Sequence, residues 1–196
     1  MDGYSAIRAA WDREFQRNRN LHGSRIQCRS GCSDCCHQLF QITEIEAAEI
    51  ARGVATLPPE RSHALAGRSR QYAERRREIT AIGGEPEAWG SLPPPGARLA
   101  CPALGEDGAC TIYEFRPLIC RKFGVPLWNP DRPGRVWACE LNFRPGEEIE
   151  DGELIQIHTG LHQAWKQTQA SDNTAGGYRD PEPRTVARAI LASLPE

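Results

Sequence analysis

The chain has 196 residues, of which 39% are hydrophobic and 26% charged, and its formal net charge is -2. This length favours a single domain spanning residues 1–196, since domains usually contain about 100–200 residues. No apolar run approaches the roughly 18 residues of a membrane span, and 24 basic against 26 acidic residues give nucleic acid little electrostatic attraction. The N-terminal segment has charges from Asp2 onward and no apolar signal region, so we expect a cytoplasmic protein.

Apolar residues at helical intervals predict most of the secondary structure. Such patterns lie over residues 5–18, after a capping box formed by Thr43 and Glu46, over 59–80, for one turn after Pro117, and over 154–165 and 186–194. Arginines 75 to 77 lie near the end of the third pattern, where they suit the helix dipole, and we interpret them as a solvated helix face.

The remaining segments predict turns and short extended pieces. Residues 101–113 form two such pieces around a turn at Gly105–Gly108, and residues 124–142 resemble a hairpin with its turn at 129–134. The stretch 83–99 is rich in Gly and Pro and predicts a surface connection without regular structure. We therefore expect an α+β fold that is mostly helical with short hairpins, forming a single compact domain.

Cysteine is the unusual residue type. Four cysteines lie within nine residues and four more follow after a gap of 64, namely Cys28, Cys32, Cys35 and Cys36, then Cys101, Cys110, Cys120 and Cys139. In a reducing cytosol, such clusters are typical of metal ligands or redox groups. The Cα atoms of two adjacent cysteines lie about 3.8 Å apart, too close for a relaxed disulfide. In extended backbone Cys35 and Cys36 would point to opposite sides, leaving Cys36 for a second site or as a reserve thiol.

The complete pattern resembles a known family. CRSGCSDCC, followed by CPALGEDGACTIYEFRPLICRKFG, is similar to the YkgJ-like cysteine-cluster proteins, the CxxCxxCC zinc- or iron-chelating domain. The shared features are the Cys-Cys pair, Cys101-Pro102, the acidic turn before Cys110, Ile112-Tyr113, and Arg116-Pro117 ahead of Cys120-Arg121. The first gap holds three residues where the family's name implies two. The resemblance covers about residues 28–53 and 101–139, and it implies that all eight cysteines, in segments 28–36 and 101–139, are metal ligands.

The sequence leaves the metal open. Zinc and an oxidised [4Fe-4S] cluster, each with four thiolates, both carry a charge of about -2, which nearby cations would stabilise; candidates are Arg29, Arg116, Arg121 and Lys122. The paired CxxC knuckles of a zinc ribbon do not occur in the sequence, so we favour the iron–sulfur cluster, with zinc as the alternative. We predict a metal-binding protein whose two cysteine groups converge, with a structural, redox or metal-handling role.

An enzyme that acts on a small substrate through an iron–sulfur cluster with an open ligand position is the alternative function. The spacing Cys28-x3-Cys32-x2-Cys35 is also that of radical-SAM enzymes, and residues 83–86 copy a Gly-Gly-Glu-Pro motif of that superfamily. The chain has none of the repeated strand–helix units of a β/α barrel, so we interpret residues 83–86 as a loop.

Three histidines are further candidates. His37 follows the Cys-Cys pair and is a candidate ligand, or a donor to one. His158 and His162 lie four residues apart on one predicted helix face, a spacing that can bind metal. His158 belongs to the apolar stripe of that helix, which favours a core histidine bonded to a neighbour.

Overall fold

The computed structural model describes residues 3–83, 86–87, 90–91, 96–176 and 184–194. The elements, in chain order, are α1 (Gly3–His22), α2 (Glu44–Ala55), α3 (Pro59–Gly83), β1 (Pro86–Glu87), β2 (Gly90–Ser91), α4 (Leu118–Lys122), β3 (Leu127–Trp128), β4 (Val136–Trp137), α5 (Leu154–Gly176) and α6 (Val186–Ala192). Short 3-10 turns occur at Gly23–Arg25, Asp34–His37 and Tyr113–Phe115. The mostly helical α+β fold predicted from the sequence is therefore confirmed.

The start of α2 follows directly from its sequence. The Thr43 side chain accepts a hydrogen bond from the Glu46 backbone N–H, and the Glu46 carboxylate accepts one from the Thr43 N–H at 2.7 Å. Two N–H groups that the helix itself leaves without partners are satisfied in this way. The predicted capping box is confirmed.

The hairpin also forms as predicted. β3 pairs antiparallel with β4, with Leu127 opposite Trp137 and Trp128 opposite Val136. The Asn129 side chain accepts the Asp131 N–H at 3.0 Å and so stabilises the turn.

The Gly- and Pro-rich segment differs from expectation. Pro86 pairs with Ser91 and Glu87 with Gly90, so β1 and β2 form a short antiparallel ladder where no regular structure was predicted. Pro86 is tolerated because it is the first residue of its strand. Gly83 closes α3, whereas Gly84 and Glu85 of the Gly-Gly-Glu-Pro motif lie outside the described residues.

The chain divides into two compact units. Unit 1 comprises Met1–Arg29 and Leu118–Gly177, and unit 2 comprises Ser30–Pro117 and Tyr178–Glu196. That the whole chain acts as one domain stays a prediction.

In unit 1, helix α1 packs against α4 and α5. One apolar cluster forms around the buried residues Ile26, Val125 and Phe143, with Cys28 packed against it. Cys28 therefore sits at the edge of a hydrophobic core.

In unit 2, helix α6 packs against α2 and α3. The core joins these helices to the segment that carries two of the cysteines; its buried members are Ile42, Ala47, Ile50, Val54, Leu65, Ala103, Ile112, Ala189 and Ile190. Cys101 and Cys110 pack against this core and are only partly buried. Within the part of the chain that the structure describes, no helix is both long and apolar enough to cross a membrane.

Candidate metal centre

All eight cysteines fall within the described residues, and none of them is in a disulfide. The two structural units group the cysteines differently from the two clusters seen in the sequence. Unit 2 contains Cys32, Cys35, Cys36, Cys101 and Cys110, and unit 1 contains Cys28, Cys120 and Cys139. Each unit thus combines cysteines from both sequence groups.

In unit 2, backbone hydrogen bonds join the two cysteine segments. The Cys101 N–H donates to the Cys36 carbonyl at 2.7 Å, and the Leu99 N–H donates to the His37 carbonyl at 3.0 Å. Arg98 adds an ion pair with Asp34 at 2.7 Å. Residues separated by 62 to 65 positions in the sequence are therefore neighbours, as the predicted convergence requires.

The adjacent pair Cys35 and Cys36 lies in the 3-10 turn Asp34–His37. A 3-10 turn has three residues per turn, so consecutive side chains differ by about 120° rather than the 180° of a strand. Interaction with the adjacent Cys36 side chain, together with burial, raises the pKa of Cys35 far above its ordinary value. The extended backbone considered from the sequence does not occur.

Cys101 and Cys110 are brought together by the turn that the sequence predicted. Leu104 forms a β-bridge with Cys110, the Thr111 N–H donates to the Ala103 carbonyl at 2.8 Å, and Gly108 makes the turn at a φ of +76°. A left-handed φ favours glycine, which explains this residue at the turn.

The charges of Cys35, Cys101 and Cys110 act on one another. Burial raises the pKa of Cys101 to about 12, and the neighbouring charges of Cys110 and Cys35 add to the increase. Burial likewise raises the pKa of Cys110, which also responds to Cys35. Buried thiols that oppose each other's ionisation need a cation before they can all carry charge.

The donor chemistry of this cluster fits a metal. Four thiolates are the ligand set of structural zinc and of iron–sulfur centres. With the side chains as they stand, the described His, Cys, Asp and Glu residues form no group of three or more that could hold a metal ion. The backbone of the candidate site is thus assembled, while its thiols are not arranged around a common point.

Arg76 on α3 is buried, which the sequence pattern did not predict. Arg75 and Arg77 are exposed, but Arg76 is only 7% exposed, so the solvated-face interpretation is wrong for this residue. Residues 65, 69, 72 and 76 form one buried stripe along α3, at intervals of three or four. The apolar pattern of this stripe is interrupted at Ser69 and Arg76, which are polar, so the sequence did not reveal its helical periodicity.

The stripe on α3 lies against the Cys101 segment. Arg68 donates to the Pro102 carbonyl at 2.8 Å. Burial raises the pKa of Tyr72, the Cys101 charge raises it further, and Arg76 opposes both. Arg76 reaches the Tyr72 hydroxyl at 3.5 Å through Nη1.

Arg116 stands at Cys110, as the sequence suggested. Its guanidinium lies 3.6 Å from the centre of the Tyr113 ring, and its charge lowers the pKa of Cys110 against the larger effect of burial. Two other cations named from the sequence have partners in unit 1: Arg121 pairs with Asp12 at 2.8 Å, and Lys122 lies over the Trp11 ring at 5.2 Å.

In unit 1, Asn142 connects two of the three cysteines. Its Nδ2 donates to the Cys28 Sγ at 3.5 Å and to the Gly124 carbonyl at 2.6 Å, while its backbone N–H donates to the Cys139 carbonyl at 2.9 Å. Cys120 lies on α4, four residues before Gly124. These cysteines form a second candidate set.

His158 is held by hydrogen bonds, whereas His162 Nε2 only lies near a carboxylate. The Trp128 N–H donates to His158 Nδ1 at 3.1 Å, so Nε2 carries the proton and donates to Glu14 at 3.2 Å. Both ring nitrogens are used within the fold, which confirms the core interpretation of His158. His162 Nε2 lies 3.3 Å from Asp131, and His37 Nδ1 lies 3.0 Å from the Ser33 carbonyl.

Cysteines on segments that backbone hydrogen bonds join are typical of metal-chelating proteins. A family model described as CxxCxxCC, a putative zinc- or iron-chelating domain, matches residues 27–133. The chain belongs to this family. Neither the curated proteins nor the solved structures give a match.

Proposed function

We propose that this protein binds one zinc or iron ion in unit 2 through the thiolates of Cys35, Cys36, Cys101 and Cys110. The ion fastens the turn at Asp34–His37 to the segment around Cys101, so its first role is structural. The observation that carries this proposal is the hydrogen bond at 2.7 Å from the Cys101 N–H to the Cys36 carbonyl, next to the 3-10 turn that holds both Cys35 and Cys36.

The position of Cys35 and Cys36 side by side in one 3-10 turn favours a single ion over a cluster. Four sulfurs at about 2.3 Å from one zinc ion stand about 3.8 Å from each other in a tetrahedron. In a [4Fe-4S] cluster each thiolate binds a different iron, which places the thiolates further apart. The sequence favoured an iron–sulfur cluster because it has no zinc-ribbon knuckles, but adjacent cysteines in one tight turn suit a mononuclear site better.

A metal that joins Cys36 to Cys101 would close the loop between them and so restrict the conformations of the unfolded chain. Cys36 and Cys101 enclose 64 residues, and a bond that closes a loop of this length removes several kcal/mol of chain entropy from the unfolded state, on the order of 4. A metal bound by both ends therefore stabilises unit 2.

Cys28, Cys120 and Cys139 are the second candidate set, supported by the bridge that Asn142 makes between Cys28 and Cys139. Three thiolates would leave one ligand position open. An enzymatic centre that acts on a small substrate needs such a position. This set is the place at which the alternative function would reside.

Metal analysis of anaerobically purified protein tests both sets. We expect one zinc or iron ion per chain for unit 2 alone and a second metal if unit 1 also binds. Cys36→Ser and Cys101→Ser should each lose the unit 2 metal, while Cys139→Ser, in the other unit, should keep it. Full metal content in both the Cys36 and Cys101 variants contradicts the proposal. A brown protein that contains iron and acid-labile sulfide would replace the single ion with a cluster.

A further inference from the structure

The hairpin of β3 and β4 leaves one strand edge open. The Trp128 N–H donates to His158 Nδ1 at 3.1 Å, so it does not donate to β4. Hydrogen-bonded and non-hydrogen-bonded residue pairs alternate in an antiparallel ladder, so Trp128 and Val136 are a pair of the second kind. The N–H and C=O of Val136 therefore point away from β3. Among the described residues this sheet has two strands, and Val136 is 39% exposed.

The turn of the hairpin is fixed by three hydrogen bonds. The Trp128 Nε1 donates to the Pro133 carbonyl at 3.1 Å. The Asp131 N–H donates to the Asn129 side chain at 3.0 Å, and the Arg132 N–H donates to the Asn129 carbonyl at 2.9 Å. A surface that is already ordered loses little conformational entropy when a partner binds. The hairpin is therefore prearranged for contact.

Arg135 and Trp137 form an exposed pair on one face of β4. They are two residues apart, so their side chains share a face, and Val136 between them points to the other face. The Arg135 guanidinium lies 3.5 Å from the centre of the Trp137 ring, which is itself 45% exposed. The ring thus holds the guanidinium in place, and arginine in a fixed position suits the recognition of a carboxylate.

The hairpin carries more positive charge than its neighbours balance. Residues 127–137 contain two cations, Arg132 and Arg135, and one carboxylate, Asp131. Asp131 already pairs with Lys166 at 3.3 Å, and within the described ranges of the chain neither arginine forms an ion pair. The chain as a whole has a net charge of -2, so this excess belongs to the hairpin. An acidic partner would complement it.

We propose that the outer edge of β4 binds an extended acidic peptide segment of another protein. The peptide backbone pairs with the N–H and C=O of Val136, which adds a third strand to the hairpin. Because strand side chains alternate, acidic residues of the peptide lie beside Arg135 and Trp137, and its apolar residues lie beside Val136. A single-stranded nucleic acid would also meet an aromatic ring and cations here, but it offers no backbone to pair with Val136. The surface uses none of the cysteines, so this inference is independent of the proposed metal.

Fluorescence anisotropy with labelled octapeptides measures this binding on the full-length protein. One peptide alternates Glu and Val, the second alternates Lys and Val, and the third alternates Glu and Pro. The third keeps the charge, but its prolines lack the N–H that pairing with Val136 requires. We expect saturable binding of the Glu-Val peptide alone.

Two charge reversals are compared with the wild type. Arg135→Glu places a negative charge against the acidic peptide and should weaken its binding at least about tenfold. Arg70→Glu changes an exposed arginine of α3, outside the hairpin, and should bind as the wild type does. Circular dichroism checks the fold of each variant. If Arg135→Glu does not fold, Trp137→Ala, which releases the guanidinium, provides the same test.

Amide hydrogen exchange locates the site. The Val136 N–H should exchange more slowly when the Glu-Val peptide is bound, whereas the Trp128 N–H, already bonded to His158, should change little. Failure of the Glu-Val peptide to bind, equal binding of either control peptide, unchanged binding in Arg135→Glu, or no protection of Val136 would each overturn the inference. Binding of an oligouridylate instead of the peptide would assign the surface to nucleic acid. Self-association that Arg135→Glu abolishes would assign it to a second copy of this chain, and both results reject the acidic peptide.

Discussion

Among the described glycines of unit 1, Gly124 has the closest neighbouring atom to a Cβ added at its position, so it gives the sharpest test of packing in this unit. A Cβ at this position would lie 2.5 Å from Cys28 Sγ, and the backbone has a φ of +110°. A non-glycine residue at such a φ costs about 1–3 kcal/mol, and forcing a buried neighbour aside costs about 1–3 kcal/mol more. We expect Gly124→Ala to lower the free energy of unfolding by about 2–6 kcal/mol.

Two other glycines of unit 1 separate these contributions. Gly146 has a φ of +81° and nothing within 4 Å of its Cβ position, so Gly146→Ala reports backbone strain alone. Gly134 has neither a positive φ nor a near neighbour, so Gly134→Ala should be neutral or slightly stabilising.

Urea unfolding of the apoprotein, followed by circular dichroism, ranks the three variants. We predict the largest loss for Gly124→Ala, a smaller loss for Gly146→Ala and none for Gly134→Ala. Adding Cys28→Ala to Gly124→Ala removes the contacting sulfur and should recover part of the loss. Equal losses at Gly124 and Gly146, or no recovery in the double variant, would refute the close approach to Cys28.

Three further predictions concern the fold. His158→Ala leaves the Glu14 carboxylate and the Trp128 N–H without their buried partner. We expect the free energy of unfolding, measured in urea, to fall by about 2–4 kcal/mol. A loss close to zero, as for an exposed histidine, would contradict this role. Burial would raise the pKa of Glu14, but hydrogen bonds from Arg17 and His158 outweigh burial and lower the pKa from 4.5 to about 2. The stabilisation by the ionised carboxylate is therefore complete above pH 4.5 and disappears as the pH falls toward 2. Glu14→Gln should flatten the acid side of the profile of stability against pH, and an unchanged acid slope would contradict this assignment. Thr43→Ala removes a capping hydrogen bond of α2 and should cost about 1 kcal/mol, and a thermal midpoint equal to that of the wild type would show that the cap is energetically unimportant.

Local patterns predicted the local structure. The capping box at Thr43, the hairpin turn after Trp128 and the glycine turn at Gly108 each depend on neighbouring residues, and each occurs in the structure. The sequence also predicted that the two cysteine segments lie close together, because cysteines that bind one metal must be neighbours in space.

Interactions between distant residues were not predictable in the same way. The division of the eight cysteines into five and three depends on how the segments pack, and spacing in the sequence suggested four and four. Burial of Arg76 depends on the segment that covers α3, and the run of three arginines concealed it. Glu14 and His158 are 144 residues apart, so neither sequence context indicates the hydrogen bond between them.

X-ray absorption at the metal edge tests the central claim most directly. For the purified protein, the account predicts zinc or iron surrounded by four sulfur atoms, at about 2.3 Å for zinc, with no second metal nearby. The same measurement on Cys101→Ser should show this sulfur shell lost. A shell of nitrogen and oxygen, a neighbouring iron atom, or an unchanged sulfur shell in the variant would contradict a single ion held by Cys35, Cys36, Cys101 and Cys110.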